Sequence, residues 1–291
     1  MHIERVGLKH KRGDARALEI SKRVLEYLED RGISVIAERE LARNLGRADV
    51  AADLEELEAV DVLVVVGGDG TLLRTFHEIS RIPPVLGINV GSIGFLYDLD
   101  ERNYRKALES LLKGEFRVDE WRTGIAEFES GEKCEFLNEI AVSNAIHHKM
   151  LRFRISKAGS RVGIEGRGDG IIVSTTVGSY AYALSAGGPL LDPNLEALVV
   201  VPIAPFSFVM RPLVLGSESR VILEVLSDPA VATIDGLLVR DVAEGERITI
   251  RLGGKEFRMV RVDLGEEFLE KLERRLLDRP KGLRETDLLP A

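Results

Sequence analysis

A glycine-rich turn after a run of valines carries the first sign of chemistry in this chain. Val62–Val66 is apolar and β-branched, as a strand covered on both faces would be, and Gly67-Gly68-Asp69-Gly70-Thr71 follows directly. We expect the glycines to adopt positive φ and to let the backbone approach a ligand. We expect the helix that follows to present N–H groups to an anion. A lone carboxylate among groups that suit phosphate indicates phosphoryl transfer.

Two commoner nucleotide motifs do not fit this turn. The chain has no Gly-x-x-x-x-Gly-Lys-Ser/Thr sequence, so it has no P-loop. Leu73 stands where a dinucleotide fingerprint read from Gly68 requires its third glycine. A plain strand-to-helix turn, with Asp69 as a solvated turn residue, is the remaining structural alternative.

Three further segments carry groups that could hold a nucleotide. Residues 87–95 form a second glycine-rich turn, which should border the same crevice because adjacent parallel strands end at one edge. Asn138-Glu139 pairs an amide with a carboxylate, which suits a ribose diol or an adenine amino group. Residues 169–189 combine an acid, a buried strand, a hydroxyl-rich turn and tyrosines that could stack on a flat ring. Each segment alone could equally be a loop, a turn or a set of helix caps.

The sequence offers little for a metal held by the protein or for a serine nucleophile. His147 and His148 are adjacent, so in a strand they would face opposite ways, and no His-x-x-x-His or paired-cysteine pattern occurs. A Gly-x-Ser-x-Gly elbow is also missing. We therefore predict no metal held by protein side chains, and any Mg²⁺ would arrive with a nucleotide.

The pattern of residue types changes once along the chain, and the two patterns predict the elements that position these residues. The first hundred residues alternate strands and helices, which indicates an α/β domain with a parallel, doubly wound sheet over 1–115. Asp14 is the predicted N-cap of the first helix, and Gly32 is predicted to stop it. Short alternating runs after Phe116 predict a β-rich second domain over 116–264, with residues 180–186 as its main helix. Residues 265–291 are predicted to be an amphipathic helix that packs back on the body, followed by a tail.

Composition narrows the classes of protein. The net charge of −8 argues against a general nucleic-acid surface. The longest apolar stretch, residues 197–210, is broken by Pro202 and Pro205 and is too short to span a bilayer. The single cysteine, Cys134, and the lack of an apolar signal region predict a cytoplasmic protein.

Taken together, these segments resemble the NAD kinase family over most of the chain. The resemblance rests on the Gly67–Thr71 turn, the turn over residues 87–96, Asn138-Glu139, Asp169-Gly170 and the stretch over residues 178–189. The first turn alone is also found in diacylglycerol and sphingosine kinases, whereas the last stretch is far more specific. The resemblance implies two domains with the site between them, and phosphoryl transfer to the 2′-hydroxyl of the adenosine ribose of NAD.

The resemblance also implies roles for individual residues. Asp69 matches the family's catalytic acid, and Asn138 with Glu139 matches the pair that holds NAD. Arg167 and Asp169 match residues that contact NAD in the same site or from a neighbouring subunit. The other positions predicted to bind substrate or cofactor are Gly67, Gly68, Gly70, Thr71, Arg74, Asn89, Lys149, Tyr180, Ala181, Tyr182 and Ser185.

The chain departs from the family pattern in two places. Residues 175–180 read Thr-Thr-Val-Gly-Ser-Tyr where relatives have Thr-Pro-Thr-Gly-Ser-Thr, which changes the polar contacts expected there. Leu237, after Asp235-Gly236, stands where many relatives have a polar residue.

The predicted function is therefore that of an NAD kinase. The phosphoryl donor would be ATP or inorganic polyphosphate, Mg²⁺ would be the cofactor, and the enzyme would be a homodimer or homotetramer. Two alternatives stay open at this point. One is a lipid kinase of the diacylglycerol type that shares the first turn, and the other is a non-catalytic regulator that binds a dinucleotide.

Overall fold

A computed structural model describes residues 2–91, 94–146, 148–207, 210–227 and 229–263. The predicted helix and tail over 265–291, His147 and part of the second glycine turn lie outside these ranges. The helices are α1 (Ala15–Glu29), α2 (Arg39–Leu45), α3 (Leu54–Leu57), α4 (Asp69–Glu78), α5 (Tyr104–Lys113) and α6 (Tyr182–Ser185), with 3₁₀ turns at Ala48–Val50 and Val177–Tyr180.

The strands fall into two groups along the chain. Those of the first group are β1 (Arg5–His10), β2 (Ser34–Glu38), β3 (Ala51–Ala52), β4 (Val62–Gly67), β5 (Val85–Asn89) and β6 (Leu99–Asp100). Those of the second are β7 (Arg117–Phe128), β8 (Lys133–Phe136), β9 (Glu139–Asn144), β10 (Leu151–Lys157), β11 (Gly163–Gly168), β12 (Gly170–Ser174), β13 (Ala197–Ile203), β14 (Leu213–Gly216), β15 (Arg220–Val225), β16 (Ala230–Ile234), β17 (Leu238–Val242) and β18 (Arg247–Arg261).

The first group forms the predicted doubly wound sheet. Its order is β3-β2-β1-β4-β5, with parallel pairing throughout. Asp14 caps α1 as predicted, because its side chain accepts hydrogen bonds from the N–H groups of Arg16 and Ala17. The helix ends at Glu29, and Gly32 follows in the turn with a φ of 76°. The α/β architecture predicted for the first hundred residues is confirmed.

Helices cover both faces of this sheet. One apolar core joins α1, α2 and α5 to the even-numbered side chains of β1 and β4, such as Leu8 and Val64. A second core lies on the opposite face and includes Leu72 and Phe76 of α4. That second core also takes in Leu137 and Val177 from the β-rich part of the chain. The helix that starts at Asp69 is therefore packed against both halves of the molecule.

The β-rich second part is confirmed, but it is joined to the first by a continuous sheet. A six-stranded sheet has the order β14-β13-β12-β9-β16-β17. The other strands of this part extend the parallel sheet to twelve strands, because β18 lies beside β5 and pairs Met259 with Val85. The short strands seen in the sequence did not reveal this continuity, and the boundaries near residues 115 and 264 stay predictions. Among the described residues, no helix combines the length and apolar character that a membrane crossing requires.

Candidate active site

The first glycine turn joins β4 to α4, and Asp69 is the first residue of that helix. The carboxylate of Asp69 accepts hydrogen bonds from the N–H groups of Phe95 (2.9 Å) and Leu96 (3.3 Å). Gly67 lies opposite Asn89 in the parallel ladder, and its carbonyl accepts a hydrogen bond from Val90. The two glycine-rich turns therefore border one edge of the sheet, as predicted.

The glycines of this turn serve close packing rather than an unusual backbone. Gly67, Gly68 and Gly70 do not adopt positive φ, so that expectation is wrong. A Cβ at Gly67 would lie 2.3 Å from the hydroxyl oxygen of Thr71, so the first turn of α4 fills that space. Space is open around Gly68 and Gly70, where no heavy atom beyond the adjoining residues and the local helix backbone lies within 4 Å of the position a Cβ would take. A ligand can therefore come close to the backbone at these two residues.

The buried side chain of Tyr97 contacts the same turn. Its hydroxyl donates to the carbonyl of Gly68 (3.2 Å), and its ring occupies the space that a side chain at Gly87 would need. Burial, and then the negative charge of Asp69, raise the pKa of Tyr97 well above its usual range. The hydroxyl therefore stays protonated and remains a donor to the turn.

Asn138 and Glu139 lie at the start of β9, buried and incompletely satisfied. Both side chains are less than a tenth exposed. Asn138 Oδ1, Glu139 Oε2 and the neighbouring Ser174 Oγ have no hydrogen-bond partner among the described residues. Buried polar atoms normally have partners, so three unsatisfied atoms on these neighbouring residues indicate a place prepared for a polar ligand. Ser174 pairs with Glu139 across the β9–β12 ladder; it lies in the hydroxyl-rich segment over 169–189 but was not among the individual residues predicted to bind.

The environment of Glu139 is electrostatically unusual. Burial, and then the charge of Asp235, raise the pKa of Glu139 to about 8, while a hydrogen bond from the backbone of Tyr182 opposes this rise. Groups with strongly shifted pKa values cluster at functional sites. The position matches the predicted role of Glu139 in holding a substrate.

The hydroxyl-rich segment forms the wall beside Asn138. Thr175 Oγ1 donates to the carbonyl of Leu137 (2.7 Å) and accepts from the N–H of Gly178 (3.1 Å). A Cβ at Gly178 would lie 2.0 Å from the carbonyl oxygen of Asn138, so only glycine fits there. Val177, where the expected family pattern has a threonine, packs into the apolar core on the α4 face of the parallel sheet. At this departure from the expected pattern, the chain therefore has a core side chain.

The predicted helix over 180–186 is shorter than expected. The segment has a 3₁₀ turn, a break at Ala181 (φ −100°, ψ −126°) and then α6. The break lets the tyrosine side chains diverge: Tyr180 stacks on Phe95, with ring centroids 6.3 Å apart, and its hydroxyl donates to the carbonyl of Leu191. Tyr182 is 45% exposed, and Ser185 is exposed. Tyr180 therefore connects the two halves of the site through Phe95, whose N–H binds Asp69.

Four predicted residues lie outside β9. Asp169 precedes β12, and Glu139 pairs with Ser174 at the opposite end of that strand, so about 15 Å of extended chain separates the two acids. Arg167 stacks on Phe206 near the same far end (3.8 Å to the ring centroid). Lys149 is exposed just before β10, whose first residue pairs with Gly168. Arg74 is exposed on α4, with no hydrogen bond or ion pair to any described residue.

Asp235 and His77 belong to this region but were not predicted. Asp235 accepts hydrogen bonds from the N–H groups of Leu137, Asn138 and Glu139, and His77 Nε2 lies 2.9 Å from its Oδ2. The Asp-Gly pair at 235–236 between apolar runs is a hairpin signal that could have drawn attention to this turn. Nothing in the sequence indicates that its carboxylate reaches back about a hundred residues to the start of β9.

Comparison with known proteins places this geometry in a family. Residues 6–116 match the model of the ATP-NAD kinase N-terminal domain, and residues 137–262 match that of the ATP-NAD kinase C-terminal domain. The chain belongs to the NAD kinase family. The NAD kinase of Methanothermobacter thermautotrophicus is 35% identical over 278 residues, covering 94% of this chain and 96% of the relative. That of Thermococcus kodakarensis is 34% identical over 261 residues, covering 88% and 93%.

Solved structures support the same assignment. The crystal structure of an NAD kinase from Archaeoglobus fulgidus in complex with ATP matches with a TM-score of 0.74 and 32% identity, over 89% of this chain and 94% of that one. A yeast NADH kinase complexed with NADH has a TM-score of 0.87 over 98% and 90% of the chains, but its 20% identity shows the fold alone. The chain is an enzyme with NAD kinase activity, as the sequence predicted. The lipid-kinase alternative, which shares only the first turn, is set aside.

Proposed function

We propose that this member of the NAD kinase family transfers the terminal phosphoryl group of ATP to the 2′-hydroxyl of NAD, with Asp69 as the general base. The observation that carries the proposal is the pairing of two unlike acids. Asp69 lies at an open turn at the start of α4, and Glu139 lies beside buried polar atoms that lack partners. The first suits proton removal next to phosphate, and the second suits recognition of a sugar or a base.

The carboxylate of Asp69 is held in a fixed orientation. The two N–H groups of Phe95 and Leu96 fix the carboxylate and stabilise its negative charge. Asp69 takes the proton of the 2′-hydroxyl as the oxygen attacks the terminal phosphorus, and the bond from that phosphorus to the bridging oxygen of ADP breaks. The N-terminus of α4, with open space at Gly68 and Gly70, is where the phosphates would approach the backbone.

The substrate dinucleotide would be held by the start of β9. Asn138 Oδ1 can accept a hydrogen bond from the adenine amino group, and Glu139 Oε2 can bind a ribose hydroxyl. Tyr182, with nearly half of its surface exposed beside Glu139, offers a ring on which the adenine could stack. These contacts position the 2′-hydroxyl but do not activate it, because removal of its proton requires Asp69.

Mg²⁺ would be held by the phosphates of the donor. No group of three or more His, Cys, Asp or Glu side chains that could share a metal ion occurs among the described residues. When bound, the ion would neutralise charge on the group being transferred. The chain's own contribution is the orientation of Asp69 and of the acceptor hydroxyl.

The residues at the far end of β12 support a role between subunits. Arg167 and Asp169 lie too far from Glu139 to join its contacts within one chain. We therefore propose that they reach the NAD of a neighbouring subunit in a homodimer or homotetramer. Mixing an Asp69→Asn subunit with an Arg167→Ala subunit would then restore activity in hybrid oligomers, whereas a monomer in solution would contradict this arrangement.

One assay tests the proposed reaction. Purified protein is incubated with NAD, Mg²⁺ and either ATP or polyphosphate, and NADP is measured with an NADP-specific dehydrogenase. We expect NADP with ATP and no NADP after EDTA, while activity with polyphosphate would widen the donor class. Binding of NAD without NADP from any donor would favour the regulator alternative. The cytoplasmic location expected from the single cysteine stays a prediction.

A further inference from the structure

The carboxylate of Asp235 is an unusual centre of hydrogen bonds. It lies in the turn between β16 and β17, with its side chain fully buried and a φ of 48°. Its Oδ1 accepts from the N–H groups of Asn138 (2.8 Å) and Glu139 (3.0 Å), and its Oδ2 accepts from that of Leu137 (2.8 Å). Asp235 also donates its own N–H to the carbonyl of Glu139 (2.9 Å). One side chain therefore fixes the backbone of the whole segment that carries the two predicted NAD ligands.

The same carboxylate reaches the helix of the predicted base. His77, whose side chain is 15% exposed, places its Nε2 2.9 Å from Asp235 Oδ2. His77 lies in the last turn of α4, and Asp69 is the first residue of that helix. A ten-residue α-helix is a rigid rod about 15 Å long. A shift at His77 is therefore transmitted to Asp69.

A second contact holds the same end of α4. Lys255 Nζ donates to the carbonyls of Phe76 (2.6 Å) and Ile79 (3.2 Å), and it lies 4.1 Å from the centroid of the Phe76 ring. Both contacts come from the β-rich part of the chain. By contrast, the ladder that joins the two halves at β5 and β18 has one described residue pair, Val85 with Met259. The polar contacts on α4 therefore act together with the apolar core of Leu137 and Val177 in setting the position of Asp69 relative to the start of β9.

We propose that Asp235, acting through His77, is a positioning residue that sets the catalytic base relative to the segment that holds NAD. This inference rests on the proposed function, because it needs Asp69 as base and Asn138 with Glu139 as ligands. A single buried carboxylate bonds to both elements at once. Neither Asp235 nor His77 has to touch the substrate, so both act on the geometry of other residues.

The test separates positioning from simple stabilisation by measuring KM for NAD, KM for ATP and kcat in each variant. Asp235→Asn keeps the shape but cannot accept all four hydrogen bonds. We expect KM for NAD to rise about tenfold or more while KM for ATP stays within about twofold. Asp241→Asn, the same change at an exposed aspartate on β17, should behave like the wild type.

His77 supplies a pair of variants that does not depend on a change at the buried carboxylate. His77→Ala removes the bond to Asp235, and we expect kcat to fall about tenfold, because small displacements of a reacting group cost large factors in rate. His77→Gln can still donate to Asp235, so we expect it to recover most of the loss. Recovery in the Gln variant, at equal melting temperatures of the two variants, supports positioning.

Two results would overturn the inference. One is a His77→Ala enzyme with the kcat and KM values of the wild type, and the other is a His77→Gln enzyme as impaired as His77→Ala. Failure of the proposed function looks different. In that case the wild-type protein itself makes no NADP, and the variants have no rate to compare.

Discussion

The two acids of the site stand in opposite environments. Asp69 is half-buried and receives two backbone N–H groups, so its charge is stabilised before any substrate arrives. Glu139 is buried beside the charge of Asp235, has an oxygen with no partner among the described residues, and has its pKa raised to about 8. The first acid is therefore already oriented before a substrate binds, whereas the second lacks a hydrogen bond that a ligand can supply.

The largest expected effect comes from changing Asp69, the acid whose hydrogen bonds are already made within the protein. Asp69→Asn should lower kcat by about 10²–10⁴-fold, which is the usual contribution of a general base. Measured in the NADP assay, KM for NAD should change little, because the NAD contacts lie at the other acid. Asp241→Asn is the matched control. Near-normal turnover in Asp69→Asn would show that Asp69 is not the general base. The proposed contrast between the two acids would then be wrong.

The second acid should instead appear in the pH dependence of stability. A carboxyl group whose pKa is raised from 4.5 to about 8 on folding contributes stability fully below pH 4.5, and loses it as the pH rises to about 8. Glu139→Gln removes this titration, so the free energy of unfolding of the variant should fall less across that window, by an amount on the order of a few kcal/mol.

Urea unfolding of the wild type and of Glu139→Gln at several pH values measures this difference. Glu244→Gln, the same change at an exposed glutamate, is the control and should follow the wild type. Parallel curves for the wild type and Glu139→Gln would show that Glu139 is charged in the folded protein at neutral pH. The contrast between the two acids would then be wrong.

A third prediction concerns the hydroxyl-rich segment that packs beside Asn138. Gly178→Ala places a Cβ where the carbonyl oxygen of Asn138 lies 2.0 Å away, so the backbone of Asn138 must move. We expect a loss of about 1–3 kcal/mol in the free energy of unfolding, as in other overpacked sites, together with a higher KM for NAD. Gly216→Ala is the control, because no heavy atom lies within 4 Å of that position. Equal effects in the two variants would show that this wall is not tightly packed.

The sequence revealed the half of the site that is continuous along the chain. The valine run, the glycine turn and the helix after it are neighbours in sequence, and local rules place Asp69 at the sheet edge correctly. The expectation of positive φ at the glycines was wrong. At Gly67 a glycine is needed instead because Thr71 packs where a Cβ would lie. Such a choice depends on side chains across the turn, which no local pattern specifies.

The other half depends on residues far apart in sequence. Asp235 binds the start of β9, and β18 joins the parallel sheet beside β5; both contacts connect distant parts of the chain. Periodicity describes a strand but not its partner, so one sequence without relatives could not give these contacts. The unsatisfied atoms of Asn138 and Glu139 likewise became visible only when burial was known.

The smallest expected effect concerns the link between the two halves. Phe95 binds Asp69 through its backbone and stacks on Tyr180 through its ring, with 11° between the ring planes. Phe95→Leu keeps the backbone bond and removes the stack, which is worth about 0.5–1.5 kcal/mol for an aromatic pair. If the stack aligns the two halves, the loss should appear in kcat/KM for NAD as well as in the melting temperature. Phe95→Tyr keeps a ring and should restore both, whereas a lower melting temperature with unchanged kcat/KM would show that the two acids are aligned without this contact.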